Sequence, residues 1–549
     1  MSVKYKLSQA TEGLIERLYA RAGLWNRFVY AEKPEEIIQQ ISMAGEPAAI
    51  PELLSILLTG DKQSVEACAE AIQHLTQRVR PAEFSSFEEF VRQNCTHWQP
   101  RRASWYQMQL GDIRHLADLR GAAASVLGMA SFHKNGRIRE GAVRELARIR
   151  TADELPFLLV RANDWVEAVR LPARNFIMDR IRPDYVDHFS VWLPLALRLE
   201  KASRGDHTMI IRGIRELFAK RDVRAVLQSG LEAEDKLARR FCFDVALNLD
   251  TECQRHAILT AFQASDIQVR KAAASRLAAI LPAGEHDELV VLARKDSCAS
   301  VRRAALKIYS EKFPERAEEQ FLSALLDSNI AVREEAREFF RKKNAFAVRR
   351  YYIERLQAKD IRTLCPAIAG VGEAGVASDA DALEAFLASP SPRIRATTLR
   401  ALGKLDADGH IDRFLSALQD SSGKVAREGT LVLGRRANLV GAARLWQVYL
   451  RASHAHGKRF AVYLLARVNK WDSITYLLQS LSDSDERVAE LGRRYVARWF
   501  ARYNRSFIAP SAAQLAKLKS VLDERNLLVS AEAQRQMESI LKSFAGAGR

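Results

Sequence analysis

The stretch KDSCASVRRAALKIY at Lys295–Tyr309 is written several times over in this chain. Asp296 stands in a short polar turn, Val301 and Arg302 follow it, and Ala305 lies four residues beyond the Val. The same grammar returns at Asp164 with Val169, Arg170 and Ala173, and at Asp327 with Val332, Arg333 and Ala336. Asp420 with Val425 and Ala426, and Asp483 with Val488 and Ala489, repeat it again. Asp266, Val269, Arg270 and Ala273 form a version with a shorter turn. Val269, Val301 and Val332 stand 32 and 31 residues apart, and the later gaps of 93 and 63 are near multiples of that step. Weaker copies fill the gaps: Ile138-Arg139 with Ala142, Ile361-Arg362 with Cys365, Ile394-Arg395 with Thr398, and Lys458-Arg459 with Val462. A fixed period of this size marks a solenoid.

Within each copy the apolar residues recur every third or fourth position, which is one face of a helix. A small residue after the Val lets a neighbouring helix approach closely. Each copy is also preceded by an apolar run, such as FLSALL before Asp327 or FLSAL before Gln419. The unit is therefore a helical hairpin: helix, Asp-containing turn, helix. The fold class that follows is all-α, an α-solenoid.

These units resemble the HEAT-like repeat family, in particular the short bacterial type first named from phycobilin lyases. The resemblance covers residues 111–505 and implies a right-handed superhelix. It also implies a ladder between successive repeats, in which the turn Asp pairs with the Arg after the Val. On that basis Asp164, Asp296, Asp327, Asp420 and Asp483 would pair with Arg170, Arg302 and Arg333. Ala426 and Ala489 stand where the Arg would be, so the ladder is expected to break there. Such repeats serve many unrelated tasks, and the resemblance fixes no activity; bilin attachment follows from the name of the type alone.

Three regions are expected. Residues 1–110 form an N-terminal helical region with a degenerate repeat and an insertion, 111–505 the repeats, and 506–549 a C-terminal helical cap. A terminal cap covers the last apolar face of a solenoid. The closing residues GAGR should fray. Six Cys are scattered without CxxC spacing, which suits reduced core thiols and a cytoplasmic setting. The first residues carry charges throughout and contain no apolar signal core, and the most apolar runs are too short to span a membrane.

In the N-terminal region, Ser86 with Glu89 reads as a capping box opening a helix. Trp98, Pro100, Arg101, Arg102, Trp105 and Tyr106 then crowd together without helical spacing, either as an ordered insertion packed on the first repeats or as a binding loop. Pro172 falls early in the second helix of its unit. GVGEAGVASDA at 370–380 reads as a long turn between hairpins, without the strand and GK that a phosphate loop needs. His454 and His456 form an HxH with no third ligand nearby, and His286-Asp287 is isolated. No nucleophile carries a flanking signature. The expectation is a non-enzymatic chain without cofactor or metal.

Charge is the feature beyond architecture. The formal net charge is +17; residues 1–110 hold 12 Lys+Arg against 13 Asp+Glu, so the excess lies in the remainder. In the resembled family the second helix of each hairpin lines the concave face. Residues there that point away from the apolar stripe are Arg144, Lys271, Arg303, Lys307, Arg337, Arg341, Arg400 and Arg494, with Glu334, Glu338 and Glu490 interrupting the series. In RVAELGRRYVARWFARYNR at 487–505, Arg494, Arg498 and Arg502 form one stripe beside Tyr495, Trp499 and Tyr503. RKKNAFAVRRYY at 341–352 is a second such cluster. The first reading is a scaffold whose basic concave surface binds a protein partner with an acidic surface. The alternative is a nucleic-acid-binding protein related to the HEAT-like DNA glycosylases, through phosphate charge and base stacking, although no motif residue of those enzymes is matched here.

Overall fold

The computed structural model describes residues 5–20, 32–119, 121–280, 283–343, 347–505, 508–523 and 531–545. The 21–31 stretch, the middle of the 341–352 cluster, the side chains of His286-Asp287 and the closing GAGR lie outside the described residues or side chains. The described residues are helices and turns without a strand. The fold is an all-α solenoid of HEAT-like hairpins. No described helix is long and apolar enough to cross a membrane.

The chain divides into two compact units, Met1–Val301 and Arg302–Arg549. In the first, hairpins form from Ala123–Ala130 with Gly136–Leu146, Leu155–Arg161 with Glu167–Met178, and Thr251–Gln263 with Ile267–Ile280. In the second, the second helices pack in sequence: Ile361–Ala374 on Pro392–Leu405, then Gly423–Leu433, Ala455–Leu465 and Glu486–Arg502.

The repeating residues do what the pattern requires. Val169, Val269, Val301, Val332, Val425 and Val488 are all buried, as are Ala173, Ala273, Ala305 and Ala336 four residues on. Where that position is Gly429 or Gly492, the space is already taken. A Cβ on Gly429 would stand 2.8 Å from the Phe414 carbonyl oxygen, and one on Gly492 2.5 Å from Ser480 Oγ. Small residues here set how close the paired helix comes.

The ladder exists, but each rung runs forward into the next repeat. Arg139 reaches Asp164 (2.9 Å), Arg240 reaches Asp266 (2.7 Å) and Arg270 reaches Asp296 (2.8 Å). In the second unit Arg302 meets Asp327 and Arg395 meets Asp420, both at 2.7 Å. Each of these Asp also accepts its own turn's backbone N–H two residues ahead, as Val166 to Asp164 and Ser422 to Asp420. Arg139, Arg270 and Arg395 in turn each donate to a carbonyl six residues before them, those of His133, Ala264 and Ser389. In these three repeats one guanidinium closes its own turn and fastens the following one, whereas Arg239 and Arg240 share the two tasks in theirs.

This geometry corrects several expectations. Arg170 donates to the carbonyl of Asp164 in its own turn and has no carboxylate rung among the described residues. Arg333 bypasses the next turn and pairs with Glu373. Asp420 and Asp483 both keep partners despite Ala426 and Ala489, because the partner comes from the preceding repeat; for Asp483 it is Lys458 at 2.8 Å. Lys458 thus holds the Arg position and Gly457, buried, holds the Val position, one residue earlier than the sequence suggested. No rung starts at Ala426, and there His456 Nε2 donates to the Asp420 carbonyl (2.9 Å).

Two local expectations also change. Ser86 is no cap: Pro81–Glu83 forms a 3-10 turn and the helix Phe84–Thr96 starts earlier, with buried Phe84 and Phe87 fixing its pitch. The Gly-rich stretch at 370–380 is helical to Ala374. A Cβ on Gly370 would overlap the Tyr352 ring, and one on Gly372 would stand 2.6 Å from Ala401 Cα. Those glycines serve helix contact, and the turn begins at Gly375.

The basic-aromatic segment after Trp98 is mostly packing. Trp105 is buried, its N–H donating to Ser55 Oγ (3.3 Å), and Arg102 pairs with Glu52. Trp98 stays exposed. Beyond Pro510, Ser511 caps the helix Ala512–Leu522 through a reciprocal bond pair with Gln514, and Ala531–Ala545 follows. Trp471 donates to the Ile508 carbonyl (2.6 Å) and meets Phe544 edge-on, which covers the end of the last hairpin.

Candidate binding surface

The cations that the sequence placed on one face are largely held by carboxylates of the same chain. Arg303 pairs with Glu335 (2.8 Å) and Arg400 with Glu428 (2.5 Å), each joining one second helix to the next. Arg337 pairs with Glu373, and Arg144 and Arg341 with Glu140 and Glu338 on their own helices. Glu373 is almost fully buried and takes Arg333, Arg337 and Lys404 together. Burial works against its charge, but those three cations hold its carboxyl below the usual range. Lys271, Lys307, Arg494 and Arg498 have no acidic partner among the described residues. The Arg494 guanidinium lies 5.7 Å from the Tyr495 ring centre.

In the second unit, cations without acidic partners line two pockets. The first is a pocket of about 500 Å³ across four consecutive second helices. Arg393, Lys424 and Arg427 line it, are exposed, and have no acidic partner among the described residues. Arg333 and Arg400, which share the same wall, are already satisfied by Glu373 and Glu428. Cys365 lies at its buried side, its thiol pushed up by burial. None of these three free cations was singled out from the sequence. Arg427 occupies the same outward position two residues after Val425 that drew attention to Arg303 after Val301, so the signal was there. Arg393 and Lys424 precede their marker residues, where the helix starts and the periodic argument is weakest.

The second place is a pocket of about 690 Å³ on the Arg- and aromatic-rich helix Glu486–Arg502. Its cations are Arg467, Lys470, Arg498, Arg502 and Arg505, and among the described residues no carboxylate lines it. Trp499 is buried, donates to the Lys470 carbonyl (2.8 Å) and packs against Trp471 and Tyr503 as the pocket wall. Lys470 donates to the Tyr503 carbonyl (3.2 Å), and burial lowers its pKa. The aromatics of this stretch divide between core and surface, as neither simple reading of the sequence had it.

The HxH motif is structural in its second member. His454 and His456 stack with centroids 5.3 Å apart, and His456 bonds the Asp420 carbonyl. Among the described residues no three His, Cys, Asp or Glu are grouped to hold a metal.

No family model matches this chain. No curated protein matches it either. Among solved structures it is similar to Kap121p bound to Pho4p, at 11% identity and a TM-score of 0.33, over 94% of this chain and 64% of that one. Yeast importin-beta (Kap95p) matches at 12% identity and TM-score 0.33, over 94% and 71%. An engineered protein matches at 13% and 0.23, over 82% and 98%. The chain thus spans less than two thirds of the length of the Kap121p structure.

Proposed function

We propose that the chain is a non-enzymatic repeat scaffold that binds an acidic segment of a protein partner on the face of its second helices. One observation carries this reading: Arg393, Lys424 and Arg427 lack acidic partners around a pocket where every neighbouring Arg is already neutralised by the chain itself. A tract for nucleic-acid backbone needs positive charge spread along the strand. Here the intervening pairs Arg303–Glu335 and Arg337–Glu373 interrupt such a tract, and discrete pockets suit discrete carboxylates. Burial of five of the six thiols fits a reducing, cytoplasmic setting, and the division into 1–110, 111–505 and 506–549 with repeats of the phycobilin-lyase type belongs to the same proposal.

The test uses two fluorescent probes of equal charge, a Glu/Asp-rich peptide and an oligonucleotide, against wild type and the variant Arg393→Glu, Lys424→Glu, Arg427→Glu. The expected result is salt-sensitive peptide binding that the variant loses by at least about ten-fold, with the melting temperature unchanged because all three side chains are exposed. Tighter binding of the oligonucleotide at about 150 mM salt, lost in the same variant, would overturn it in favour of nucleic acid.

A further inference from the structure

We infer that the pocket beside the helix Glu486–Arg502 is a separate site for a nucleotide, free or as a residue of a single strand. Five cations face about 690 Å³ of space, and no carboxylate lines it among the described residues. Arg303, Arg337 and Arg400, elsewhere on the second helices, each meet a Glu instead. Arg498 and Arg502 stand one helical turn apart on the same helix, and Arg505 follows in the next turn. None of the three has an acidic partner among the described residues. Guanidinium groups so placed match phosphate oxygens through paired N–H donors.

The remaining walls are aromatic, and they differ in what they have left to offer. Trp499 and Tyr503 pack on Trp471 and on each other. Tyr463 and Tyr495 pack on no other ring; Tyr463 carries only the Arg467 guanidinium (4.5 Å to its centre) and Tyr495 only that of Arg494. Each is half-buried, on a separate one of two adjacent helices, Ala455–Leu465 and Glu486–Arg502, and each lines the pocket. A base stacks on an aromatic face regardless of its identity, with cation–π support from Arg. A ligand that satisfies both halves needs a flat ring and phosphate on one frame. A nucleotide has that chemistry, and the volume is in the range of small-ligand pockets. An acidic peptide, the ligand proposed for the Arg393 pocket, would use the cations and leave the tyrosine faces unused.

The full-length protein would be titrated by calorimetry with ATP, inorganic triphosphate, a phosphotyrosine peptide and a twelve-residue oligothymidylate. Tyr495→Ala and Arg498→Gln/Arg502→Gln serve as variants. The expected result is binding of ATP or the oligothymidylate, weakened roughly ten-fold or more by Tyr495→Ala and again by the double Arg variant. Triphosphate should bind more weakly and be insensitive to Tyr495→Ala. Preference for the oligothymidylate over ATP assigns the site to a strand, and the reverse to a free nucleotide. Equal affinity for triphosphate and ATP with Tyr495→Ala silent would overturn the proposal, as would tighter binding of the phosphotyrosine peptide, or no binding of any of the four. Because Arg393, Lys424 and Arg427 remain intact in both variants, failure here is separable from failure of the scaffold reading.

Discussion

Arg333 and Glu373 hold each other through two hydrogen bonds although forty residues separate them, and in doing so they pull Arg333 away from the rung its repeat would otherwise form. Both side chains are buried, and Arg337 and Lys404 complete the carboxylate's surroundings. Removing the acid leaves the buried Arg333 guanidinium with the Asp327 carbonyl but no carboxylate.

Glu373→Ala is therefore expected to cost about 3–5 kcal/mol of stability, the scale for breaking a buried pair from one side. Urea unfolding of the second unit's transition would read it. Glu338→Ala, which removes the exposed partner of Arg341, should leave the same transition in place. Equal effects of the two substitutions would refute the central role of Glu373.

A second expectation concerns pH. His133 is buried, its Nδ1 accepts the Asn135 N–H (3.1 Å), and its Nε2 donates to the Trp105 carbonyl (3.1 Å). Burial, with Lys134 and Arg139 nearby, pushes its pKa down from 6.5 to about 4. A folded-state pKa below the unfolded one means the unfolded chain takes up the proton first. Stability from this group is thus complete above pH 6.5 and lost as pH falls toward 4. His133→Gln should flatten the melting temperature between those values; an unchanged slope would count against it.

Carboxylates held by Arg, the rung acid Asp266 and Asp379 beside Arg349, act at lower pH. Hydrogen bonds from Arg240 and Arg349 hold Asp266 and Asp379 below the ordinary value of 3.8. Their contribution is present above that value and disappears as pH falls through the depressed folded-state values. Asp266→Asn and Asp379→Asn should each lower stability at neutral pH and reduce its further loss under acid. Calorimetric scans from pH 5 downward would test this, and parallel curves for variant and wild type would speak against it.

Gly370→Ala would drive a Cβ into the Tyr352 ring, and overpacking of this kind costs on the order of 1–3 kcal/mol. Gly13→Ala, in the helix Gln9–Ala20 with nothing within 4 Å of the added atom, should instead stabilise by about 0.5–1 kcal/mol. Thermal melts of the two variants should shift in opposite directions.

The hairpins could be read from the sequence because burial at Val301 and Ala305 recurs with the helical period in each copy, and periodicity is local information. The direction of the ladder could not. Arg302 lies close in sequence to Asp296 and farther from Asp327, and only the stacking of repeats brings the second within reach. The same gap explains the candidate site. Arg303, Arg337 and Arg400 were placed on a solvent-facing position, yet their charge is cancelled by Glu335, Glu373 and Glu428 from later helices. The aromatic stripe at 495–503 was legible as a stripe. That Trp499 turns inward while Tyr495 remains available depends on the neighbouring Trp471, which no local pattern encodes.

The missing rung at Ala426 has a consequence for how the array comes apart. In a row of repeats, cooperativity rests on the coupling between neighbours. A guanidinium that closes its own turn and fastens the next ties the fate of two hairpins together, so neither can open alone. Between the repeats of Val425 and Gly457 that clamp is replaced by one bond from His456 to a carbonyl. This joint lacks the charged clamp, and it lies between the Arg393 pocket and the Tyr495 pocket. Backbone amides on its two sides should therefore exchange with solvent as separate cooperative blocks, with the C-terminal hairpins able to open while the pocket before them stays intact.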